Sequence, residues 1–241
     1  MPPSPQASKI PLAERDELAM MREMEGDAAA SRGDRVEALS CWGEALVILQ
    51  ERQRAAEVAR VATKMAAAEE SLGQAEEAGL HYELAADAYV RAGETEQAPM
   101  CLNNLAMLRK LSGASGEAAK ILRRALNMGA RLHGDNHREM ALIASNLGAV
   151  LAECGDFPGA IQAHMEALGV REYLYGPAHP EVGLSLGHLA VAYQLTGEVD
   201  KARRHYEAAL AILGEFPGVH SAEREVLQAN LAELNGDEGE G

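Results

Sequence analysis

The strongest constraint on this chain is that it repeats itself. "NNLAMLRKLSG" at residues 103–113 is followed at 42-residue intervals by "SNLGAVLAECG" at 145–155 and "GHLAVAYQLTG" at 187–197. Gly113, Gly155 and Gly197 form one column, Ala118, Ala160 and Ala202 a second, Ala125, Ala167 and Ala209 a third, and Gly134, Gly176 and Gly218 a fourth. Four columns that keep one period mark an array of similar units. Upstream the period tightens to 40, with Gly33 and Gly73 preceding Gly113, Ala38 and Ala78 preceding Ala118, and Ala45 and Ala85 preceding Ala125. Downstream, "NLA" at 230–232 repeats the "HLA" of 188–190. The spacing predicts five two-helix units and a single final helix.

Each unit reads as helix, turn, helix. Within residues 179–218, Val182, Leu186, Leu189, Ala190 and Tyr193 recur at steps of three and four, as do Ala202, Tyr206, Ala209, Leu210 and Leu213. Between them "LTGEVD" turns the chain at Gly197. Pro180 suits the first turn of a helix, where its missing N–H loses no bond, and Asp156 and Asp200 suit helix starts. Small residues at Ala106, Gly148 and Ala190 and at Ala118, Ala160 and Ala202 let paired helices approach to roughly 8–9 Å. An alanine-rich chain with two Phe and one Trp also favours helices over a sheet.

A formal charge of −15 repels nucleic acid and anionic lipid at long range, although a local basic groove remains compatible with it. Cys41, Cys101 and Cys154 are odd in number and far apart, which reads as small buried side chains in a reducing compartment. No apolar run resembles a signal or membrane segment, so the expectation is a cytoplasmic protein. The Pro-containing start, residues 1–12, reads as a disordered tail and residues 236–241 as an acidic one, with the repeat domain over 13–235.

The small first-helix residue, the turn glycine seven later, the alanine five beyond it and another seven further on resemble the tetratricopeptide repeat. The 42-residue unit and its linker "LYGPAHPEV" are most similar to the kinesin-light-chain type, over about residues 18–235; no stretch is left for a heptad coiled coil. This resemblance implies an all-α, right-handed superhelical solenoid of antiparallel helix pairs, with the first helix of every pair lining a concave side. Glu25, Glu69, Arg109 and His164 depart from the pattern at positions usually apolar or aromatic.

Two residues before the small first-helix position, the units carry Met24, Lys64, Asn104, Asn146, His188 and Asn230. Asparagine gains nothing from helix propensity, so its recurrence asks for a reason. By resemblance, such asparagines hydrogen-bond the backbone of a peptide lying in the groove, a role that a carboxamide with both donor and acceptor suits. The alternative is that each caps a local contact between helices or faces water. Arg60, Asn103, Lys110, Ser145 and Gln194 are also expected in the groove, and the cations Arg60, Lys64 and Lys110 suggest an acidic partner segment. Only part of a carboxylate clamp is present, since Glu23, Asp27, Met100 and Ala149 occupy its other places. Leu111, Leu142, Leu184, Val191 and Leu195 provide apolar patches for anchors.

The resulting expectation is a noncatalytic scaffold or adaptor that binds an extended peptide or a helix of a partner protein, without cofactor or metal. Replacing Asn104 and Asn146 by Ala is expected to weaken binding by roughly 1–3 kcal/mol. Two other readings are a structural subunit that self-associates through its ends or convex face, and a peptide-sensing regulator. An enzyme is disfavoured: His133 and His137 flank the Gly134–Asp135 linker and read as turn-polarity or helix-start residues, and GxxxxGK, GxGxxG and HExxH are all missing.

Overall fold

A computed structural model describes residues 11–133 and 137–236. Eleven α-helices follow one another among them: α1 Leu12–Ser31, α2 Arg35–Glu51, α3 Ala55–Ser71, α4 Ala75–Ala92, α5 Ala98–Leu111, α6 Ser115–His133, α7 Arg138–Glu153, α8 Phe157–Tyr175, α9 Pro180–Leu195, α10 Val199–Gly214 and α11 Ser221–Gly236. A short 3-10 turn at Thr95–Gln97 precedes α5. The order matches five pairs plus one, and no strand occurs among the described residues. Residues 1–10 and 237–241, which hold most of both expected tails, lie outside them, as do Gly134 and Asp135.

The repeat columns do the work their chemistry suggested. Gly33, Gly73, Gly113, Gly155 and Gly197 all have φ between +76° and +85°, the left-handed region that costs glycine least. Ala38, Ala78, Ala118, Ala160 and Ala202 are fully buried, and so are Ala45, Ala85, Ala125, Ala167 and Ala209. Any larger residue at those points would force paired helices apart. Asp156 caps α8 by accepting from the Gly159 amide at 3.1 Å, and Pro180 opens α9. His137 and His179 serve as matching caps, their Nδ1 atoms accepting from the Glu139 and Glu181 amides at 3.4 and 3.2 Å. The cap explains His137 as a helix-start residue; the side chain of His133 is outside the described set.

Contacts divide the chain into two compact units, Met1–Arg109 and Lys110–Gly241. In the first, α1 packs with α2 and α3 with α4; in the second, α7 packs with α8 and α9 with α10, and α11 covers α10. The single final helix buries Leu227 and Leu234 in one cluster with Ala190, Ala202, Tyr206, Ala209 and Leu213.

The departures from the repeat pattern have local causes. Glu69 is buried and meets His81 Nδ1 at 2.7 Å, while Glu25 stays exposed and pairs with Arg22. Arg109 lays its guanidinium over Gly79 and reaches Glu76 at 3.2 Å. His164 fills the room left by Gly148, where an added Cβ would come within 2.5 Å of the ring. All three cysteines are free, but Cys154 is exposed and only Cys101 is fully buried, which corrects the expectation that all three are buried.

Candidate functional site

The candidate residues lie on leading helices: α1, α3 and α5 in the first unit, and α7, α9 and α11 in the second. One geometric rule applies in both units. In three of the repeats the large residue four after the buried alanine of a trailing helix meets the column residue of the next leading helix, whereas Trp42, four after Ala38, bonds to Asp27 on the preceding one. Tyr82, four after Ala78, is hydrogen-bonded to Asn104, and its hydroxyl donates to Glu70 at 2.9 Å. Burial first, and then Glu70, push the Tyr82 hydroxyl up to about 12. Tyr206, four after Ala202, donates to Gln194 Oε1 at 2.6 Å and accepts from Asn230 Nδ2 at 3.3 Å. His164, four after Ala160, holds His188 with ring centroids 5.5 Å apart. Asn104, Asn230 and Gln194 thus all have partners within the chain.

The first unit closes its leading-helix face with charge. Glu23 of α1 is buried and accepts two hydrogen bonds from Arg60, at 2.8 and 2.7 Å, and one from Lys64 at 2.8 Å. Those hydrogen bonds, Arg60 first, hold its carboxyl down to about 2 against the opposing effect of burial. Lys64 also reaches both oxygens of Asp27, at 2.7 and 2.8 Å, and Trp42 Nε1 donates to Asp27 at 3.0 Å. Arg60 and Lys64 are therefore neutralised by their own chain. Met24, beside them, is exposed. Asn103 is buried, with its amide 3.4 Å from Asn104 Oδ1, which corrects its expected place on an open face.

In the second unit the corresponding face is mostly uncharged. Ser145 is buried, contrary to expectation, because with Ser185 it accepts from Nη1 of the buried Arg171. Arg171 Nε lies 3.4 Å from Glu181, so this cation too is internally matched. Lys110 pairs with Glu153 at 2.9 Å. Asn146 on α7 is half-buried, as are Leu184, Val191 and Gln194 on α9, while His188 is exposed. Leu184, His188, Val191 and Leu195 follow steps of four, three and four and form one stripe. Leu142, one turn before Asn146, is 40% exposed.

The two histidines differ in kind. His164 is buried, its Nδ1 has no hydrogen-bond partner, and desolvation, with smaller repulsions from His188 and Arg171, drives its pKa down to about 4. His188 keeps an open face to water yet is surrounded by enough protein that desolvation, followed by Arg171, lowers its pKa as well. It is a neutral ring at physiological pH, able to donate from one nitrogen and accept at the other. Among the described residues, no group of three or more His, Cys, Asp or Glu could hold a metal ion, and no helix is long and apolar enough to cross a membrane.

Sequence reasoning missed the partners of the column. Glu23 and Asp27 each stand 37 residues before the cation they bind, Arg60 and Lys64, and Tyr82 and Tyr206 each stand twelve after the acceptor they use. The twelve-residue offset recurs in two repeats and could have been found by comparing hydroxyl positions between them, whereas the 37-residue offset joins only α1 and α3.

Comparison with known proteins agrees with this architecture. A tetratricopeptide-repeat family model matches residues 139–215, and a soluble NSF attachment protein model matches residues 9–131. Among solved structures, BtubC (BKLC) from P. vanneervenii is similar at 26% identity with a TM-score of 0.70, covering 86% of this chain and 84% of that one. A putative kinesin light chain from Podosopora anserina, with nearly identical tetratricopeptide-like repeats, shares 19% identity at a TM-score of 0.66, covering 85% and 98%. YrrB, described as a tetratricopeptide-repeat protein with an unusual peptide-binding site, shares 18% identity at a TM-score of 0.61, covering 85% and 91%. The chain belongs to the tetratricopeptide-repeat family, and its first half is of the soluble NSF attachment protein type.

Proposed function

We propose that this protein is a noncatalytic interaction scaffold that holds a peptide or helix of a partner protein against the leading helices of its second unit. The observation that carries this reading is the stripe Leu184, His188, Val191 and Leu195 on α9, half-buried or exposed, with Asn146 and Leu142 on the neighbouring leading helix α7. Apolar side chains supply anchors, while a carboxamide and a neutral imidazole supply donors and acceptors to a peptide backbone without demanding a particular charge. The family relationship supports protein partners in general, and the name of YrrB shows that a chain of this fold can have a peptide site. A cytoplasmic setting fits a scaffold with free thiols.

An acidic partner segment is no longer favoured for the first unit, because Arg60 and Lys64 are satisfied by Glu23 and Asp27. The partner segment is better described as apolar and neutral along its docking face.

Selection from a displayed peptide library, followed by calorimetric titration of the selected peptides, tests the reading. Peptides should lose at least about tenfold in affinity, or 1.4 kcal/mol, when Asn146 and His188 are both changed to Ala. Leu184→Asp should abolish binding. Selected peptides whose affinity ignores both variants would exclude this face.

A further inference from the structure

A separate feature of the second unit lies away from the leading-helix stripe. Between the trailing helices α6 and α8, over α7, runs a groove of about 520 Å³. Leu126 and Ala130 line its α6 wall, the buried Met140 and Ala144 its floor, and Met165 and Gly169 its α8 wall. Met165 is 53% exposed, and Tyr173, two turns further along α8, is 72% exposed. Neither crowding nor backbone geometry requires Gly169: an added Cβ would meet nothing within 4 Å, and its φ is not positive. Glycine weakens a helix interior relative to alanine, so a bare position here leaves the groove open at a cost to the helix.

Charge gives the groove a direction. Lys120, Arg124, Asn127 and Arg131 follow one another on α6 at steps of four, three and four, all exposed, and make a basic stripe about 16 Å long on an otherwise acidic chain. Asn127 belongs both to this stripe and to the groove lining. Arg123 reaches toward Asp156 at the start of α8, 3.6 Å away, and bridges the two walls. The α8 wall carries Glu166, which accepts from Gln162 at 3.1 Å.

We propose that the α6–α8 groove is a second docking surface, taking an amphipathic helix of a partner protein with its apolar face between Leu126 and Met165 and an acidic flank along α6. A helix is the fitting occupant because its backbone groups are already paired, whereas an extended segment would need donors and acceptors that a floor of Met140 and Ala144 does not provide. The acidic flank follows from charge complementarity with Lys120 and Arg131. Nucleic acid would gain from the stripe but not from the apolar floor, and it would meet Glu166. Exposed Met165 in the groove, with exposed Tyr173 on α8 and Arg131 on α6, also matches the usual composition of contact centres.

The test uses the full chain and three probes in fluorescence anisotropy. The first is a synthetic helix of about 18 residues, five turns, with Leu and Met along one face and Glu along one flank. The second carries Lys in place of each Glu, and the third is a single-stranded RNA of the same residue count. The Glu helix should bind, with an affinity that falls as salt rises, and the Lys helix should bind at least about tenfold more weakly. Gly169→Trp, and separately Lys120→Glu with Arg131→Glu, should each reduce Glu-helix affinity by at least about tenfold, with Gly169→Leu serving the same readout should the Trp variant melt early. Asn146→Ala with His188→Ala should leave it unchanged, which separates this surface from the leading-helix face. Failure of the Glu helix to bind, equal binding of the Lys helix, tighter binding of the RNA, or indifference to the Gly169 variants would each overturn the proposal.

Discussion

The two units of this protein solve the same structural problem with different chemistry. In both, a trailing-helix side chain and neighbouring groups must settle the polar residue that a leading helix presents two positions before its small core residue. The first unit meets Lys64 with full charges from Glu23 and Asp27, and only Asn104 with a neutral group, the Tyr82 hydroxyl. The second uses His188 against the neutral ring of His164, and Asn230 against the hydroxyl of Tyr206. Ion pairs occupy their groups fully, whereas a neutral ring or amide retains hydrogen-bonding capacity for a ligand. The comparison teaches that a repeated geometry can close one face and leave another receptive, according to which side chains are installed.

Acid titration should separate the units most clearly. His164 has its pKa lowered from 6.5 to about 4, so in the range between those values the unfolded chain takes up a proton that the folded second unit refuses. Stability is full above pH 6.5 and falls by roughly 3 kcal/mol as the pH drops to 4, below which no further loss comes from this group. His164→Leu, which places there the residue found at Leu122 in the preceding repeat, should flatten that slope. Denaturant melts of the two proteins across this range check it, and parallel slopes would break the comparison.

The first unit should respond in a lower window. Glu23 is depressed from 4.5 to about 2, so its contribution is complete above pH 4.5 and is lost as the pH falls toward 2. Glu23→Ala should destabilise the first unit by about 2 kcal/mol, less than a fully buried pair because Arg60 and Lys64 can turn to water. It should also raise affinity for acidic peptides by freeing Arg60, while Lys64 stays paired with Asp27. Hydrogen exchange resolved by unit would show protection lost in residues 11–109 and kept in 138–236.

Smaller effects sharpen the comparison. Tyr206→Phe removes a hydroxyl that satisfies both Gln194 and Asn230, and should cost about 1 kcal/mol in thermal or chemical melts. Gln53 has φ +54°, at the place one 40-residue period before Gly93, which has φ +76°. Gln53→Gly should therefore stabilise the first unit by up to about 1 kcal/mol, and a destabilised variant would mean that the side chain contributes more than the backbone loses.

The helix order was legible because the alanine and glycine columns act through size and backbone freedom, properties written in a residue's identity. Ala118, Ala160 and Ala202 could be assigned to close helix packing without knowing any neighbour. Exposure on a helix face was harder. Asn103 and Ser145 stand next to column residues and looked open, but a turn of about 100° per residue carries an adjacent side chain inward. The positive character assigned to Arg60 and Lys64 failed for another reason: charge was read along one helix, while its cancellation comes from Glu23 and Asp27 on α1. Cys154, read as buried from composition, caps the exposed end of α7. The α6–α8 groove left no motif because it depends on an absent side chain at Gly169 and on walls from two helices.

The most direct measurement is a pair of calorimetric titrations with one selected peptide: one against the Asn146→Ala/His188→Ala protein, the other against Arg60→Ala/Lys64→Ala. Binding should weaken at least about tenfold in the first and stay at the wild-type value in the second. Loss in the second with wild-type affinity in the first would place the ligand on the ion-paired face and contradict the account.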